Sequence, residues 1–132
     1  MWIIRFGAVL LITASCAMGS PCDKVAFSLT STQKASFSTA VAAQLQSESV
    51  KILHSYRLGN WYLLYVNTRV GDEDFVFYRG DPPNHQYTAL WSGASASTDQ
   101  SELRNWARMN APGIPESLAK CFASSAATVH KR

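Results

Sequence analysis

The sequence predicts a small exported α+β domain, in which an N-terminal helix, a four-stranded antiparallel β-meander and two short C-terminal helices follow one another. Three observations predict this order. The first twenty residues resemble a secretory leader, apolar residues recur at helical spacing near both ends of the remaining chain, and residues 50–92 are rich in β-branched and aromatic side chains separated by turn residues. We expect the helices to lie mainly on one face of the sheet.

Residues 1–19 have the features of a signal peptide. Arg5 precedes an apolar run, and small residues follow it. The run is shorter than the roughly 20 apolar residues of a membrane-spanning helix, so the mature form is predicted to have no membrane span. Because a signal peptide directs export, the mature form is predicted to be periplasmic or extracellular. Cleavage after Ala17 or after Gly19 would remove Cys16. The alternative is a bacterial lipoprotein signal, in which Cys16 carries the lipid.

The mature chain is predicted to form one domain over residues 20–123, with a flexible tail over residues 124–132. Removing residues 1–19 from the 132 of the full chain leaves 113, enough for one domain and not two. Cys22 and Cys121 then remain as an even pair in an oxidising compartment, which predicts a disulfide between them. Two free buried thiols are the alternative.

The charges of the chain argue against a nucleic-acid partner. The net charge of +3 falls to +2 when Arg5 is removed, and the charged residues are scattered along the sequence. Neutralising phosphates needs a clustered basic surface. The three histidines, at positions 54, 85 and 130, lie far apart and no thiolate pair accompanies them, so neither a metal nor another cofactor is expected.

The first helix is predicted over residues 31–46. Thr30 and Gln33 have the spacing of a capping box, in which the two side chains satisfy each other's backbone N–H groups. The apolar positions that recur at helical spacing after them are Phe37, Ala40, Val41 and Leu45.

Four strands follow, separated by turn residues. They are predicted at residues 50–58, 61–70, 75–79 and 86–92. Gly59 and Asn60 suit a two-residue hairpin turn, residues 71–74 make the second turn, and residues 80–85 form a stiff loop around two prolines.

The C-terminal helices are marked by caps and breakers. Asp99 and Glu102 begin the second helix, and residues 110–113 end it. Pro115 suits the first turn of a short third helix. The apolar positions of the two helices are Leu103, Trp106 and Ala107, then Leu118, Cys121 and Phe122.

The hairpin register predicts two different sheet faces. If Leu58 faces Trp61, and if the second turn has four residues, the first face carries His54, Tyr56, Leu58, Trp61, Leu63, Tyr65, Val76 and Tyr78. The second face carries Leu53, Tyr62, Leu64, Val66, Phe75 and Phe77. We expect the first face to be the more open one, because Tyr, Trp and His have polar tips that suit a partly wet surface. A slip by one residue would reverse the assignment.

The candidate binding residues are Trp61, Tyr65, Asp81, His85 and Trp91. Aromatic side chains of this kind dominate interface energies, and here they lie beside a stiff loop. The sequence therefore favours a binding protein with a protein partner in the cell envelope, in the manner of an enzyme inhibitor or an immunity protein against a toxin. The plain alternative is that all these aromatics belong to the core.

Two further functions are weighed against binding to a protein. One is a small-ligand binder that uses the concave face of the curved sheet. The other is a hydrolase in which Asp81 and His85 act as acid and base. The acidic run at residues 72–74 is interpreted as a solvated turn, and two Ser-x-x-Lys matches lack the other motifs of penicillin-recognising enzymes. No catalytic residue is assigned, and the protein is not expected to be an enzyme.

Overall fold

The computed structural model describes residues 19–68, 73–92 and 99–129, so most of the predicted leader lies outside the described residues. The elements in chain order are α1 (Ser31–Gln44), β1 (Val50–Leu58), β2 (Trp61–Thr68), β3 (Glu73–Arg79), a 3-10 turn (Pro82–Asn84), β4 (Ala89–Ser92), α2 (Gln100–Asn110) and α3 (Glu116–Val129). The strands form one antiparallel sheet in the order β1-β2-β3-β4. The predicted α+β meander is confirmed.

Helix α1 begins at the predicted capping box. The Gln33 N–H donates to Thr30 Oγ1 over 3.1 Å, and the Thr30 N–H donates to Gln33 Oε1 over 3.0 Å. The helix ends two residues earlier than predicted, and Gln46 takes a left-handed φ of 55°. Its buried side chains are Phe37, Val41 and Ala42.

The β1–β2 hairpin has the predicted turn. Leu58 faces Trp61, and Gly59 takes a φ of 59°, which glycine adopts without steric cost. A bulge lies further along β1, between Ile52 and His54. Because of it, Leu53 packs with the cluster around Trp61, and its predicted place on the second face is wrong.

Strand β3 is turned over relative to the prediction. Leu63 faces Phe77 and Tyr65 faces Phe75, so these pairs share one side of the sheet. The assumed four-residue turn gave the opposite parity, and such an error moves every side chain of a strand to the other face. The predicted turn at residues 71–74 is wrong in its second half, because Glu73 and Asp74 belong to β3; residues 69–72 lie outside the described residues.

Both faces of the sheet are covered by helices, so the expectation of an open first face is wrong. One cluster packs Tyr62, Leu64, Val66, Val76 and Tyr78 with the apolar side of α1. The other packs Trp61, Leu63, Phe75, Phe77 and Trp91 with α2 and α3. Two of the three helices therefore share one face, while α1 lies on the other. The physical reason is that β2 and β3 are apolar on both sides, and each side needs a cover.

Helix α3 is longer than predicted, and it is tied to the start of the domain. It continues to Val129 with Ala126 and Ala127 buried, so the predicted start of a flexible tail at residue 124 falls inside the helix. The predicted disulfide is confirmed: Cys22 and Cys121 are bonded, with their Cα atoms 4.6 Å apart. Among the described residues, no helix has the length and apolar character needed to cross a membrane.

Candidate functional site

Three of the five predicted binding residues are core residues. Trp61, Tyr65 and Trp91 are only 6, 7 and 2 % exposed. Trp91, for example, packs edge-on against Phe75 and Phe122 at centroid distances of 5.9 and 5.6 Å. The proposal that these aromatics anchor a partner is wrong, because α2 and α3 cover the face on which they lie. The alternative that they belong to the core holds for all three.

The other two predicted residues, Asp81 and His85, are brought together on the surface. His85 Nδ1 lies 3.4 Å from Asp81 Oδ1, and the two side chains are 48 and 38 % exposed. The same ring nitrogen is 3.0 Å from the backbone oxygen of Asp81. An exposed pair of this kind contributes little to stability, so its stabilising effect does not explain its presence.

Local sequence fixes the form of the loop that carries this pair. Two prolines start the 3-10 turn, and Asn84 Nδ2 donates to Asp81 Oδ2 over 2.6 Å. Gly80 has a φ of 114°, and a Cβ at this position would overlap the His85 ring. Only glycine therefore lets the chain turn here and leaves room for the imidazole.

One side chain of α1, Gln44, fastens this loop to the rest of the domain. Its Nε2 donates to the backbone oxygens of Pro82 and His85, over 3.1 and 2.9 Å. Its Oε1 accepts from the Tyr78 hydroxyl over 2.9 Å and from the Tyr87 N–H over 3.1 Å. A single amide thus uses both donors and both acceptor positions to hold the loop.

The Tyr78 hydroxyl is a fixed member of this arrangement. The residue is fully buried in the α1 cluster, and burial, with a smaller contribution from Tyr87, raises the pKa of its phenol. It therefore stays neutral and donates to Gln44 at physiological pH. The Tyr87 N–H donates to Gln44 Oε1, and the Thr88 N–H donates to the backbone oxygen of Phe77. Strand β4 begins only at Ala89, three residues later than predicted.

A depression of about 490 Å³ lies beside the loop, at the end of the sheet where the β1–β2 hairpin turns. We call it the hairpin-end depression. It is lined by Arg57, Asn60, Tyr62, Arg79, Gly80, Asp81 and His85.

The two arginines of the hairpin-end depression stack on aromatic rings and do not pair with acids. The Arg57 guanidinium carbon lies 5.0 Å from the centroid of Tyr62, and that of Arg79 lies 5.8 Å from Trp61. Within residues 19–68, 73–92 and 99–129, neither forms an ion pair. The sequence analysis assigned no role to either arginine. Arg57 lies one residue before the end of β1, and Arg79 is the last residue of β3.

The chemistry available at this site is polar recognition. The Asp81 carboxylate orients the His85 ring, which leaves Nε2 for a ligand. No serine, threonine or cysteine is among the residues that line the depression. No group of three His, Cys, Asp or Glu side chains is suitably placed to hold a metal in the described parts of the chain.

Known proteins provide no comparison for this site. No family model matches the chain, and neither a curated protein nor a solved structure is found similar to it.

Proposed function

We propose that the protein is a small exported binding protein that docks the hairpin-end depression and the loop at residues 80–85 onto a protein partner in the cell envelope. An enzyme inhibitor or an immunity protein against a toxin works in this manner. The observation that carries the proposal is the attachment of an exposed polar loop to α1 through Gln44, which bonds Pro82 and His85 in the loop, Tyr87 just after it and Tyr78 of β3. Export is supported by the leader-like residues 1–19 and agrees with the disulfide.

The attachment matters because binding loses affinity when a loop must be ordered. Immobilising one rotamer-rich side chain at an interface costs about 0.5–1.5 kcal/mol. Here the backbone at Pro82, His85 and Tyr87 is already fixed by Gln44. The ring of His85 is also positioned, by Asp81 on one side and Gly80 on the other. A partner would therefore meet a preformed surface.

Arg57 supplies the second part of this surface. Its guanidinium lies over the rings of Tyr62 and Phe27, at 5.0 and 5.5 Å, and its Nε donates to the Gly59 oxygen over 3.2 Å. The remaining N–H groups have no carboxylate partner among the described residues. Arginine is enriched in the energetically dominant parts of interfaces, and here its position is set before a partner arrives.

A matched pair of variants tests the proposal. Arg57→Ala/His85→Ala removes the two polar anchors of the surface, whereas Lys24→Ala/Lys51→Ala removes two exposed basic side chains that lie outside it. Wild type is used to capture partners from envelope extract, and the captured protein is identified by mass spectrometry and titrated against all three proteins. We expect the first variant to lose about tenfold or more in affinity and the control to lose little. Equal affinity of both variants would contradict the proposal.

A hydrolytic role for Asp81 and His85 is the second candidate, because a distance of 3.4 Å places the pair within reach of a shared proton. Ester and peptide substrates presented to wild type, Asp81→Asn and His85→Ala decide this. A rate in wild type that both variants lose would favour catalysis, and no rate in wild type would exclude it for those substrates. Helices pack on both faces of the sheet, and a cavity remains between the sheet and α3.

A further inference from the structure

A second cavity lies between the sheet and α3, on the opposite face from α1. Its volume is about 220 Å³. We call it the β1–α3 pocket. Its sheet side is formed by His54, Tyr56 and Tyr65, and its helix side by Ser124, Ser125 and Thr128.

The pocket exists because α3 has small polar residues where it crosses the β1 edge of the sheet. Further along the same face, the large ring of Phe122 fills the space against Phe75 and Phe77, at centroid distances of 5.3 and 5.0 Å. At Ser124 and Ser125 no such ring is present, and the sheet below them stays uncovered. The disulfide between Cys121 and Cys22 fixes this part of α3 to the start of the domain.

The lining is rich in hydroxyl groups and poor in charge. Six of the nine residues that line the pocket are Ser, Thr or Tyr, and none is Asp, Glu, Lys or Arg. Tyr56 is half-buried, which raises the pKa of its phenol above the ordinary value, so it is a neutral donor at physiological pH. A ligand with several hydroxyl groups would find matching donors and acceptors here.

Polar groups with unused hydrogen-bonding capacity line the pocket. Among the described residues, the ring nitrogens of His54 and the hydroxyl of Ser124 form no hydrogen bond within the protein. Tyr65 donates to Glu73, which leaves its oxygen as an acceptor. Both donors and acceptors are therefore available to a ligand.

Flat aromatic surfaces complete the site. The His54 ring lies nearly parallel to that of Tyr65, at 6.0 Å and 12°, and to that of Tyr56, at 6.4 Å and 26°. Pockets that combine ring faces with a few placed polar groups suit compact ligands with apolar C–H faces and polar edges. The volume of about 220 Å³ is of the size that one six-membered ring with its substituents occupies.

We propose that the β1–α3 pocket binds a hydroxyl-rich molecule of the size of a single sugar ring. This site is separate from the hairpin-end depression, and it does not depend on the function proposed for that surface.

The test uses defined probes and the purified protein. Glucose, N-acetylglucosamine and myo-inositol are the hydroxyl-rich probes, and cyclohexanol is a six-membered ring with a single hydroxyl group. Binding is followed through the backbone amide signals of His54 and Ser125. We expect at least one hydroxyl-rich probe to shift these signals saturably with a dissociation constant of about 1 mM. Cyclohexanol should bind about tenfold more weakly than that probe.

Two variants on the same helix serve as test and control. Ser124→Leu fills the pocket and should abolish the shifts, whereas Ser117→Leu lies at an exposed position of α3 and should leave them unchanged. If Ser124→Leu fails to fold, Tyr56→Phe removes one hydroxyl at nearly constant volume and should weaken binding about threefold or more. No saturable shift with any hydroxyl-rich probe, equal or tighter binding of cyclohexanol, or full binding by the pocket variant would overturn the proposal.

Discussion

Gln44→Ala is expected to free the loop at residues 80–88 and to destabilise the whole domain. The substitution removes both donors and the acceptor that now hold Pro82, His85, Tyr87 and Tyr78. It does so at the C-terminal end of α1, where alanine is a good helix former. The helix itself should therefore remain, and the loss should come from the removed contacts.

The magnitude follows from the surroundings of each partner. The groups on Pro82, His85 and Tyr87 belong to a surface loop, so water can replace part of what they lose, at roughly 0.5 kcal/mol each. The Tyr78 hydroxyl belongs to a fully buried residue, and leaving it unsatisfied costs about 1–3 kcal/mol. The free energy of unfolding should therefore fall by about 2.5–4.5 kcal/mol.

Urea denaturation measures this loss, and hydrogen exchange locates it. The Tyr87 amide, which donates to Gln44 Oε1, should lose its protection in the variant. Gln86→Ala is the matched control, since Gln86 is an exposed residue of the same loop, and it should change stability by less than about 0.5 kcal/mol.

A double-mutant cycle separates the buried contact from the others. In a Tyr78→Phe background no hydroxyl is left unsatisfied, so Gln44→Ala should cost about 1–3 kcal/mol less than in wild type. A loss of stability equal to that of the Gln86 control, together with unchanged exchange at Tyr87, would refute the reasoning that Gln44 holds the loop.

Three other predictions concern the disulfide, the glycine beneath the imidazole and the buried phenol. Cys22→Ala/Cys121→Ala opens a loop with a sequence separation of 99, and it should lower the free energy of unfolding, measured by urea denaturation, by about 4–5 kcal/mol. A loss below about 1 kcal/mol would contradict the chain-entropy argument. Gly80→Ala, at a φ of 114°, should lower the free energy of unfolding by about 1–3 kcal/mol and displace the His85 ring, which would change the imidazole NMR signal. An unchanged signal would mean that the ring keeps its position without the glycine. The raised pKa of Tyr78 means that the folded state holds the neutral phenol, so its contribution to stability is complete below the ordinary tyrosine pKa of 10.0 and declines as pH rises above it. The free energy of unfolding of Tyr78→Phe should therefore fall less at alkaline pH than that of wild type. An equal fall would assign the effect to another group.

Local signals in the sequence were sufficient for most of the fold. The capping box at Thr30, the glycine turn at Gly59 and the helix start at Asp99 each act over a few residues, and the structure has all three. The pairing of Cys22 with Cys121 followed from counting cysteines. Such features need no knowledge of distant contacts, and this is why they could be predicted.

The faces of the sheet could not be obtained in the same way. The side on which Phe75 and Phe77 lie depends on the parity of one turn, and residues 71–74 alone do not determine it. Both faces are apolar, so hydrophobic pattern did not correct the error. The extent of α3 was missed for a related reason: Ala126 and Ala127 are small, and only packing against the sheet shows that they are core residues.

The candidate site was predicted in part. Asp81 and His85 were correctly grouped, because two prolines between them restrict the loop. The aromatic anchors were wrong, since the sequence does not reveal that α2 and α3 cover them. The contributions of Gln44 and Arg57 depend on contacts across the domain, with Pro82 and Phe27 among them, and no local pattern indicates such contacts.

The proposed role depends most directly on export, which one mass measurement tests. The protein is isolated from the cells that produce it, unfolded in urea and treated with an alkylating reagent without reductant, and its intact mass is determined. An exported, disulfide-bonded binding protein should begin at Met18 or at Ser20, and Cys22 and Cys121 should be unmodified. A chain that retains its first residues and is alkylated at both cysteines would contradict export.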